Sequence, residues 1–428
     1  MLSMVMPIKK KVRLKYFPIN ATEANDSQPD YVLYYNPLVW EDRIYFECNT
    51  IKLFPDSRSP RDPEIVASGI AKYRDDFISK QIHKDLASGR CKYLILDHSL
   101  EGNYEIDWDY ISTITGVEKS KLVWLTAVWN PEFMNRQSDV TVCFTNWMER
   151  FTSGIGSLKY SPHHPETEPF PWTTGFEQQL KDCGDRKKRP YHGLLYNREP
   201  RLNKAVLLAR LKEQDLLTNT SYSWLGWGGK DREKPSSDEQ LFVDSLALGT
   251  LREQDKDAFM EIANSSKVSI SADENLRSNL AGNINFNHVS DCYFQIVSEA
   301  WILNSLVDDA TPYLTEKSYK PFISGIPFVT WGQKGIIQAL REQGYDVFDN
   351  WINHDYDNIV NEGERLAALM KELERLYSWT HNEWTQHLTD MIPGLKNNYQ
   401  NIHKRSNNDD FKYHSFRTLT NGASDVKW

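Results

Sequence analysis

The sequence has few cysteines and no long apolar run, and these absences exclude several classes of protein. Its five cysteines stand singly at positions 48, 91, 143, 183 and 292, without a CxxC pair or the spacing of metal ligands. Such a set favours free thiols in a reducing compartment over a disulfide framework or a zinc module. No run of about 18 apolar residues predicts a transmembrane helix, and no apolar segment follows Lys9-Lys10-Lys11 as in a signal peptide. We therefore expect a cytoplasmic protein, in the host cytoplasm if the chain is viral, with no membrane partner.

Phosphate-binding glycine loops are also missing. Neither Gly-x-Gly-x-x-Gly nor a Gly-Lys-Ser/Thr loop occurs, which disfavours dehydrogenases and ATPases. The net charge of −9 argues against a strongly basic nucleic-acid binder, although a local basic face remains open. The chain has 428 residues, which is enough for two or three domains. Aromatic residues make up 12% of it, and they either fill cores or stack on sugars and bases.

The pattern along the chain predicts a doubly wound α/β fold. Near-continuous apolar runs, typical of buried parallel strands, alternate with helical patterns. We expect an N-terminal Rossmann-like domain over 1–185, which includes a linker from Ser161 to Arg189, and a second Rossmann-like domain over 186–395. Residues 396–428 are interpreted as a tail that crosses back to the first domain. The runs predicted as strands are 31–35, 91–96, 122–126, 140–144, 191–196, 223–227, 268–271, 293–297 and 326–331.

The segment from Thr311 to Gly332 carries the clearest chemical signal. Thr315 is a candidate helix N-cap, Glu316 and Lys317 occupy the first turn, and Gly325 is suited to end the helix. A helix N-terminus that carries a lysine can bind an anion, and a neighbouring carboxylate can accept hydrogen bonds from sugar hydroxyls. This combination suits a sugar nucleotide, which offers a diphosphate and a ribose diol.

The same segment resembles a known motif. Tyr313-Leu-Thr-Glu-Lys317, followed by Pro327-Phe-Val and Gly332, resembles the donor motif of family 10 fucosyltransferases, which are GT-B glycosyltransferases. Phe294 to Glu299 is loosely similar to their Phe-Glu-Asn segment, with Ser298 and Ala300 where Phe and Asn are usual. Viral, phage-type glycosyltransferase-like proteins look similar at Asn197-Arg198, Thr315 to Pro321 and Gly344 to Phe348. The resemblance covers about residues 190–380.

The resemblance implies a GT-B fold, with two Rossmann-like domains facing each other across a cleft, and an inverting transfer that requires no cofactor. The donor would be a UDP- or GDP-linked sugar. Glu316 would contact its ribose and Lys317 its diphosphate, and Arg198 would clamp the phosphates. Four further residues complete the candidate donor site: Arg201, Lys320, Thr315 and Glu299.

An inverting transfer needs a general base, which we expect from the first domain. Asp97, His98 and Glu101 follow an apolar strand at its carboxyl end, where doubly wound sheets place their sites. Asp97 is preferred, then Glu101, and loop capping is the alternative for each. The triplets Asp107-Trp-Asp109 and Asp355-Tyr-Asp357 are not assigned a metal, because Glu316 and Lys317 already supply a phosphate site.

The acceptor is the least determined part of the interpretation. The expected acceptor is 5-hydroxymethylcytosine in phage DNA, as in a glucosyl- or arabinosyltransferase, and the basic quartet Arg186, Lys187, Lys188 and Arg189 would contact the DNA backbone. The alternative for the quartet is a solvated linker. The alternatives for the protein are a fucosyltransferase-like enzyme acting on a glycan, and a non-catalytic protein that binds nucleotide sugars or DNA.

Overall fold

A computed structural model describes two compact units of the chain. The described residues are 43–47, 93–98, 118–126, 140–144, 172–197, 200–227, 236–265, 284–299 and 312–407, with 109, 112, 149 and 152. Unit 1 comprises 1–147, 156–166 and 409–428, and unit 2 comprises 148–155 and 167–408. Residues 148–155, 167–185 and 396–408 group with unit 2 by this division.

In the part of unit 1 that the structure describes, four strands form a parallel sheet in sequence order. The strands are β1 (Arg43–Glu47), β2 (Tyr93–His98), β3 (Leu122–Thr126) and β4 (Thr141–Phe144). Leu94 lies beside Leu122, and the register continues to His98 beside Thr126. The predicted run 122–126 is confirmed as a strand, and the predicted strand at 31–35 lies outside the described residues.

The described residues of unit 2 form a second parallel sheet of four strands, in the order β6-β5-β7-β8. The strands are β5 (Tyr191–Asn197), β6 (Thr220–Trp224), β7 (Cys292–Ser298) and β8 (Phe328–Trp331). Every residue of β7 is buried, which explains its almost unbroken apolar sequence. Because β6 and β7 lie on opposite sides of β5, the order of the strands reverses between β5 and β7.

Nine helices are described in unit 2. They are α1 (Trp172–Gly184), α2 (Leu202–Glu213), α3 (Asp238–Ala247), α4 (Lys256–Asn264), α5 (Phe286–Ser290), α6 (Glu316–Ser324), α7 (Ile336–Glu342), α8 (Glu362–Ser378) and α9 (His381–Asn407). Short 3-10 turns lie at 119–121, 217–219, 253–255 and 355–358. Among the described residues, no helix has both the length and the apolar composition needed to cross a bilayer.

Two helices lie where the sequence predicts a linker and a tail. Helix α1 occupies 172–184 within the predicted linker, and α9 runs through Pro393 into the predicted tail. An internal proline costs a helix about 3 kcal/mol. Packing outweighs this cost, since α9 buries Trp384, Leu388, Met391, Leu395 and Ile402, each worth about 1.5–3 kcal/mol.

Candidate functional site

The carboxyl ends of β5 and β7 define the candidate site. Strand order reverses between these two neighbours, and open α/β sheets bind ligands outside the carboxyl ends of their strands at such a point. β5 ends at Asn197 and β7 at Ser298, directly before Glu299. The loop after β5 leads into α2, and α6 precedes β8. The edge therefore places the starts of α2 and α6 near the same pair of strands.

Helix α6 begins and ends where the sequence predicts. The Thr315 hydroxyl accepts a hydrogen bond from the Lys317 N–H at 3.3 Å, as an N-cap residue does. Gly325 follows the last turn with φ +67°, a left-handed conformation that favours glycine. Strand β8 then begins at Phe328, two residues later than predicted. Glu316 and Lys317 thus occupy the first turn.

Glu299 fixes the start of α6 to the end of β7. Its buried carboxylate accepts three hydrogen bonds, from the Thr315 N–H at 3.2 Å, the Thr315 hydroxyl at 2.5 Å and the Ser318 hydroxyl at 2.6 Å. Its carbonyl oxygen accepts from the Asn203 side chain of α2 at 2.9 Å. Glu299 therefore joins β7, α6 and α2. These contacts give it a positioning role that the sequence did not indicate.

Glu316 and Lys317 form an ion pair at the surface of this edge. The Lys317 ammonium donates to the Glu316 carboxylate at 2.7 Å and to the Thr315 hydroxyl at 3.3 Å. The side chain of Glu316 is 15% exposed and that of Lys317 is 28% exposed. With two acceptors for three N–H donors, the ammonium retains hydrogen-bonding capacity toward solvent or a ligand.

The charges of the pair are mutually stabilised. Burial alone would raise the pKa of Glu316, but the ammonium groups of Lys317 and Lys320 outweigh it and lower this pKa to about 2. Burial would lower the pKa of Lys317, but the carboxylates of Glu316 and Glu299 outweigh it and raise this pKa. Both groups are therefore ionised at neutral pH.

Arg201 adds positive charge to the same region. It is the residue before α2, is half-buried, and makes no side-chain capping hydrogen bond. The positive charge of Arg201 acts to lower the pKa of Lys317. The two cations are therefore close enough to interact electrostatically. Lys320 is half-buried one turn into α6. Arg198 lies outside the described residues.

A row of buried side chains crosses the carboxyl edge of this sheet. Trp224 pairs with Asn197, and Ser298 pairs with Trp331. Leu195 lies beside Ile296, so the same register continued by two residues places Asn197 beside Ser298. In-register residues of parallel strands project from the same face. We call this set, Trp224, Asn197, Ser298 and Trp331, the edge row.

Asp97 and His98 are the last two residues of β2. Asp97 lies between Glu47 and Leu125 in register, so the strand extends two residues further than predicted. Both residues are still at the carboxyl end of a parallel strand, where the hypothesis of a general base requires them. Glu101 lies outside the described residues.

The basic quartet divides into three exposed residues and one buried residue. Arg186, Lys187 and Lys188 are exposed, and Lys187 pairs with Asp182 at 3.0 Å. Arg189 is only 2% exposed, and its guanidinium donates to the carbonyl oxygens of Val289 at 3.1 Å and Cys292 at 2.7 Å. Arg189 therefore serves the fold, and a contact with nucleic acid remains a prediction for the other three.

The carboxylates of the two Asp-x-Asp triplets lie in different surroundings. Asp109 pairs with Lys119 at 2.8 Å, and Asp107 lies outside the described residues. Asp355 is exposed, whereas Asp357 is buried and accepts the Gln338 N–H at 3.1 Å. Burial raises the pKa of Asp357. Within the described ranges, no group of three or more His, Cys, Asp or Glu side chains is arranged to hold a metal ion.

Comparison of the sequence with protein-family models and with curated proteins gives no match.

Proposed function

We propose that this protein is an inverting glycosyltransferase of the GT-B type, which moves a sugar from a nucleoside diphosphate to a hydroxyl acceptor. The observation that carries the proposal is the ionised Glu316–Lys317 pair in the first turn of α6, with a 2.7 Å contact, beside the point where strand order reverses. The mixed α/β fold with parallel four-stranded sheets is compatible with it. The facing arrangement of two domains across a cleft is part of the proposal.

Each charge has a role in this reaction. The Glu316 carboxylate, anionic because its pKa is about 2, accepts hydrogen bonds from the ribose hydroxyls of the donor. The Lys317 ammonium contacts the diphosphate. Negative charge builds on the diphosphate as it leaves, and a fixed cation stabilises that charge without being consumed. Arg201 and Arg198 add further cations for the phosphate oxygens.

The base comes from unit 1. Asp97 takes the proton of the acceptor hydroxyl, with Glu101 as the second candidate and His98 beside them. The acceptor oxygen attacks the anomeric carbon of the donor sugar as the bond from that carbon to the diphosphate oxygen breaks. The nucleoside diphosphate leaves with the electron pair of that bond, and the sugar is transferred with inversion.

The proposed acceptor is 5-hydroxymethylcytosine in duplex DNA. Three exposed cations in sequence, Arg186, Lys187 and Lys188, favour a phosphate backbone over a neutral glycan. The target base would leave the stack to reach the donor. The net charge of −9 limits this attraction to a local face. If the DNA-binding affinity does not fall as salt rises, the DNA acceptor is wrong and a glycan acceptor takes its place.

Two measurements test the proposal in sequence. First, uridine and guanosine diphosphate sugars are screened by thermal shift, because a ligand that binds the folded state raises the unfolding temperature. Second, the donor that binds is incubated with hydroxymethylated DNA, unmodified DNA and an oligosaccharide acceptor. We expect transfer to hydroxymethylated DNA alone. Binding without transfer or hydrolysis would identify a non-catalytic nucleotide-sugar protein, and absence of binding to every nucleotide would overturn the proposal.

A further inference from the structure

The three exposed cations of the run 186–188, which we call the basic loop, lie at the edge of the second sheet opposite to the candidate site. The next residue, Arg189, is fixed to the start of β7, because its guanidinium donates to the carbonyl oxygens of Val289 and Cys292. Tyr191 then begins β5 and is paired with Cys292. The basic loop is therefore at the amino ends of β5 and β7, whereas the candidate site is at their carboxyl ends.

The length of β5 sets the separation between the basic loop and the candidate site. The strand has seven residues, so it advances about 20 Å from Tyr191 to Asn197 of the edge row. The basic loop precedes Tyr191, and the ion pair of Glu316 and Lys317 lies beyond the carboxyl end. The basic loop is therefore too distant to contact the diphosphate of a donor bound by Lys317, and its cations need another ligand.

Arg186 has a backbone conformation that favours glycine. Its φ is +53°, and it follows α1 in a left-handed turn. The Arg186 N–H donates to the Cys183 carbonyl at 3.2 Å, and the Lys187 N–H donates to the Asp182 carbonyl at 3.0 Å, as in a Schellman motif. The dipole of α1 favours cations near this end but does not require a side chain at the left-handed position. A large side chain there destabilises the fold, which points to a role for the guanidinium outside the fold.

The charge of this segment favours a ligand with repeated negative charges. From Lys181 to Lys188 the chain has four cations and two carboxylates, although the net charge of the whole chain is −9. All four cations are exposed, whereas one of the carboxylates, that of Asp182, is buried and pairs with Lys187 at 3.0 Å. Phosphate groups recur about every 3.4 Å along each strand of a DNA duplex, so adjacent exposed cations can contact several of them.

We propose that the basic loop is a docking surface for duplex DNA that contacts phosphate groups about six base pairs or more from the target cytosine. The number follows from the separation of about 20 Å and the rise of about 3.4 Å per base pair. This inference rests on the proposed function, and it adds how far the acceptor must extend. Because the basic loop lies at one end of β5, it contacts the duplex on one side of the target only.

The test places 5-hydroxymethylcytosine at different positions in duplexes of one length. The kcat/KM of transfer is measured with the target at the centre, about four base pairs from the 5′ end, and about four base pairs from the 3′ end. The full chain is compared with Arg186→Gly and Lys188→Gln. Asp215→Gly is the matched control, because Asp215 is exposed, has φ +55° and follows α2 with the same pattern of backbone hydrogen bonds, but is not a cation. Thermal unfolding verifies that each variant is folded.

For the wild type, we expect kcat/KM to fall about tenfold at one of the two end positions and to stay at the central value at the other. Arg186→Gly and Lys188→Gln should lower the central value toward that of the weaker end, and should reduce its dependence on salt. Arg186→Gly should not lower the unfolding temperature, since glycine accepts the left-handed backbone. Asp215→Gly should not lower kcat/KM at any position.

Equal wild-type values at all three positions, equal losses at both ends, or wild-type values in both Arg186→Gly and Lys188→Gln would overturn this inference. Transfer to the duplexes would in each of these cases still support the proposed function. Absence of transfer to every duplex would overturn the DNA acceptor, and the inference with it.

Discussion

The Glu299 carboxylate accepts a hydrogen bond from the Thr315 hydroxyl at 2.5 Å, across 16 residues of sequence. This contact fixes the residue before helix α6 to the residue after strand β7. Since Lys317 and Glu316 follow Thr315, their positions depend on a carboxylate that belongs to another element.

Replacement of Glu299 by alanine should destabilise unit 2. The Thr315 N–H and the Ser318 hydroxyl would lose their acceptor in a buried position, and we expect a loss of about 2–4 kcal/mol in the free energy of unfolding. Glu299→Gln retains the size and one acceptor oxygen, and should lose less. Urea denaturation of both variants measures the difference. Equal stability of Glu299→Ala and the wild type would contradict the positioning role.

Lys317→Ala should abolish most donor binding while the fold survives, because the side chain is 28% exposed. Loss of one charge-assisted contact to phosphate predicts about a 10- to 100-fold weaker affinity for the nucleoside diphosphate, measured by calorimetry. Lys371→Ala, at an exposed lysine of α8, is the control and should bind normally. Unaltered affinity in Lys317→Ala would remove the donor site from α6.

Asp97→Asn should retain donor affinity but lower the transfer rate by about 100- to 10,000-fold, the contribution expected of a general base. The amide has the size of the carboxylate but cannot take the proton of the acceptor. Single-turnover transfer with labelled donor measures the rate. Wild-type turnover in this variant would move the base elsewhere, and Glu101→Gln would be measured next.

Arg189→Ala should lower stability, whereas Lys188→Ala should not. Arg189 is buried against two backbone carbonyls, which its removal would leave without that donor, and we expect a loss of about 2–4 kcal/mol. Lys188 is exposed and has no such role. Urea denaturation compares the two variants. If Arg189→Ala is as stable as the wild type, the assignment of Arg189 to the core is wrong.

His354 should make stability depend on pH. Its ring donates to the Val347 carbonyl at 2.8 Å and accepts from the Tyr356 hydroxyl at 2.9 Å, an arrangement that requires the neutral form. Burial lowers the pKa of His354 from 6.5 to about 4. Its contribution is therefore fully present above about pH 6.5 and is lost as the pH falls toward 4. The lowering of this pKa corresponds to a loss of about 3 kcal/mol in the free energy of unfolding once the pH has fallen below 4.

Urea denaturation between pH 7.5 and 5 tests this dependence against His354→Gln. The wild type should lose stability over this range, and the variant should lose less. Burial also lowers the pKa values of His192, His387 and His403, so part of the slope should remain in the variant. Glu316 affects the pH dependence of stability only below the range from pH 7.5 to 5, since folding lowers its pKa from 4.5 to about 2. An identical slope in His354→Gln would contradict the assignment.

Local signals in the sequence predicted the elements that depend on local contacts. Thr315 and Gly325 mark the two ends of α6 because a capping hydroxyl and a left-handed glycine act within one turn. Leu366, Leu369 and Leu373 show the same dependence on local pattern, since they recur at helical spacing and form part of the buried face of α8.

Distant packing decided the elements that the sequence did not predict. Phe176 in α1 stacks on Tyr399 in α9 with ring centroids 3.9 Å apart, although more than 200 residues separate them. The proline- and histidine-rich composition near α1 is typical of a linker, and a proline within α9 is typical of a helix end. The basic run 186–189 also does not indicate that Arg189 is buried, because the carbonyl groups that accept its hydrogen bonds lie about 100 residues away in the sequence.

The strand order of unit 2 has a consequence for how the chain folds. The central pair joins Tyr191 to Cys292, about 100 residues apart, whereas β6 follows β5 after a short helical crossover. During synthesis, β5 and β6 can pair early, but the other edge of β5 stays open until β7 has emerged. Closing so long a loop slows folding, and an apolar strand with an open edge is prone to misassociate. The same arrangement that places the candidate site between β5 and β7 therefore makes that edge of the sheet one of the last parts of the unit to form.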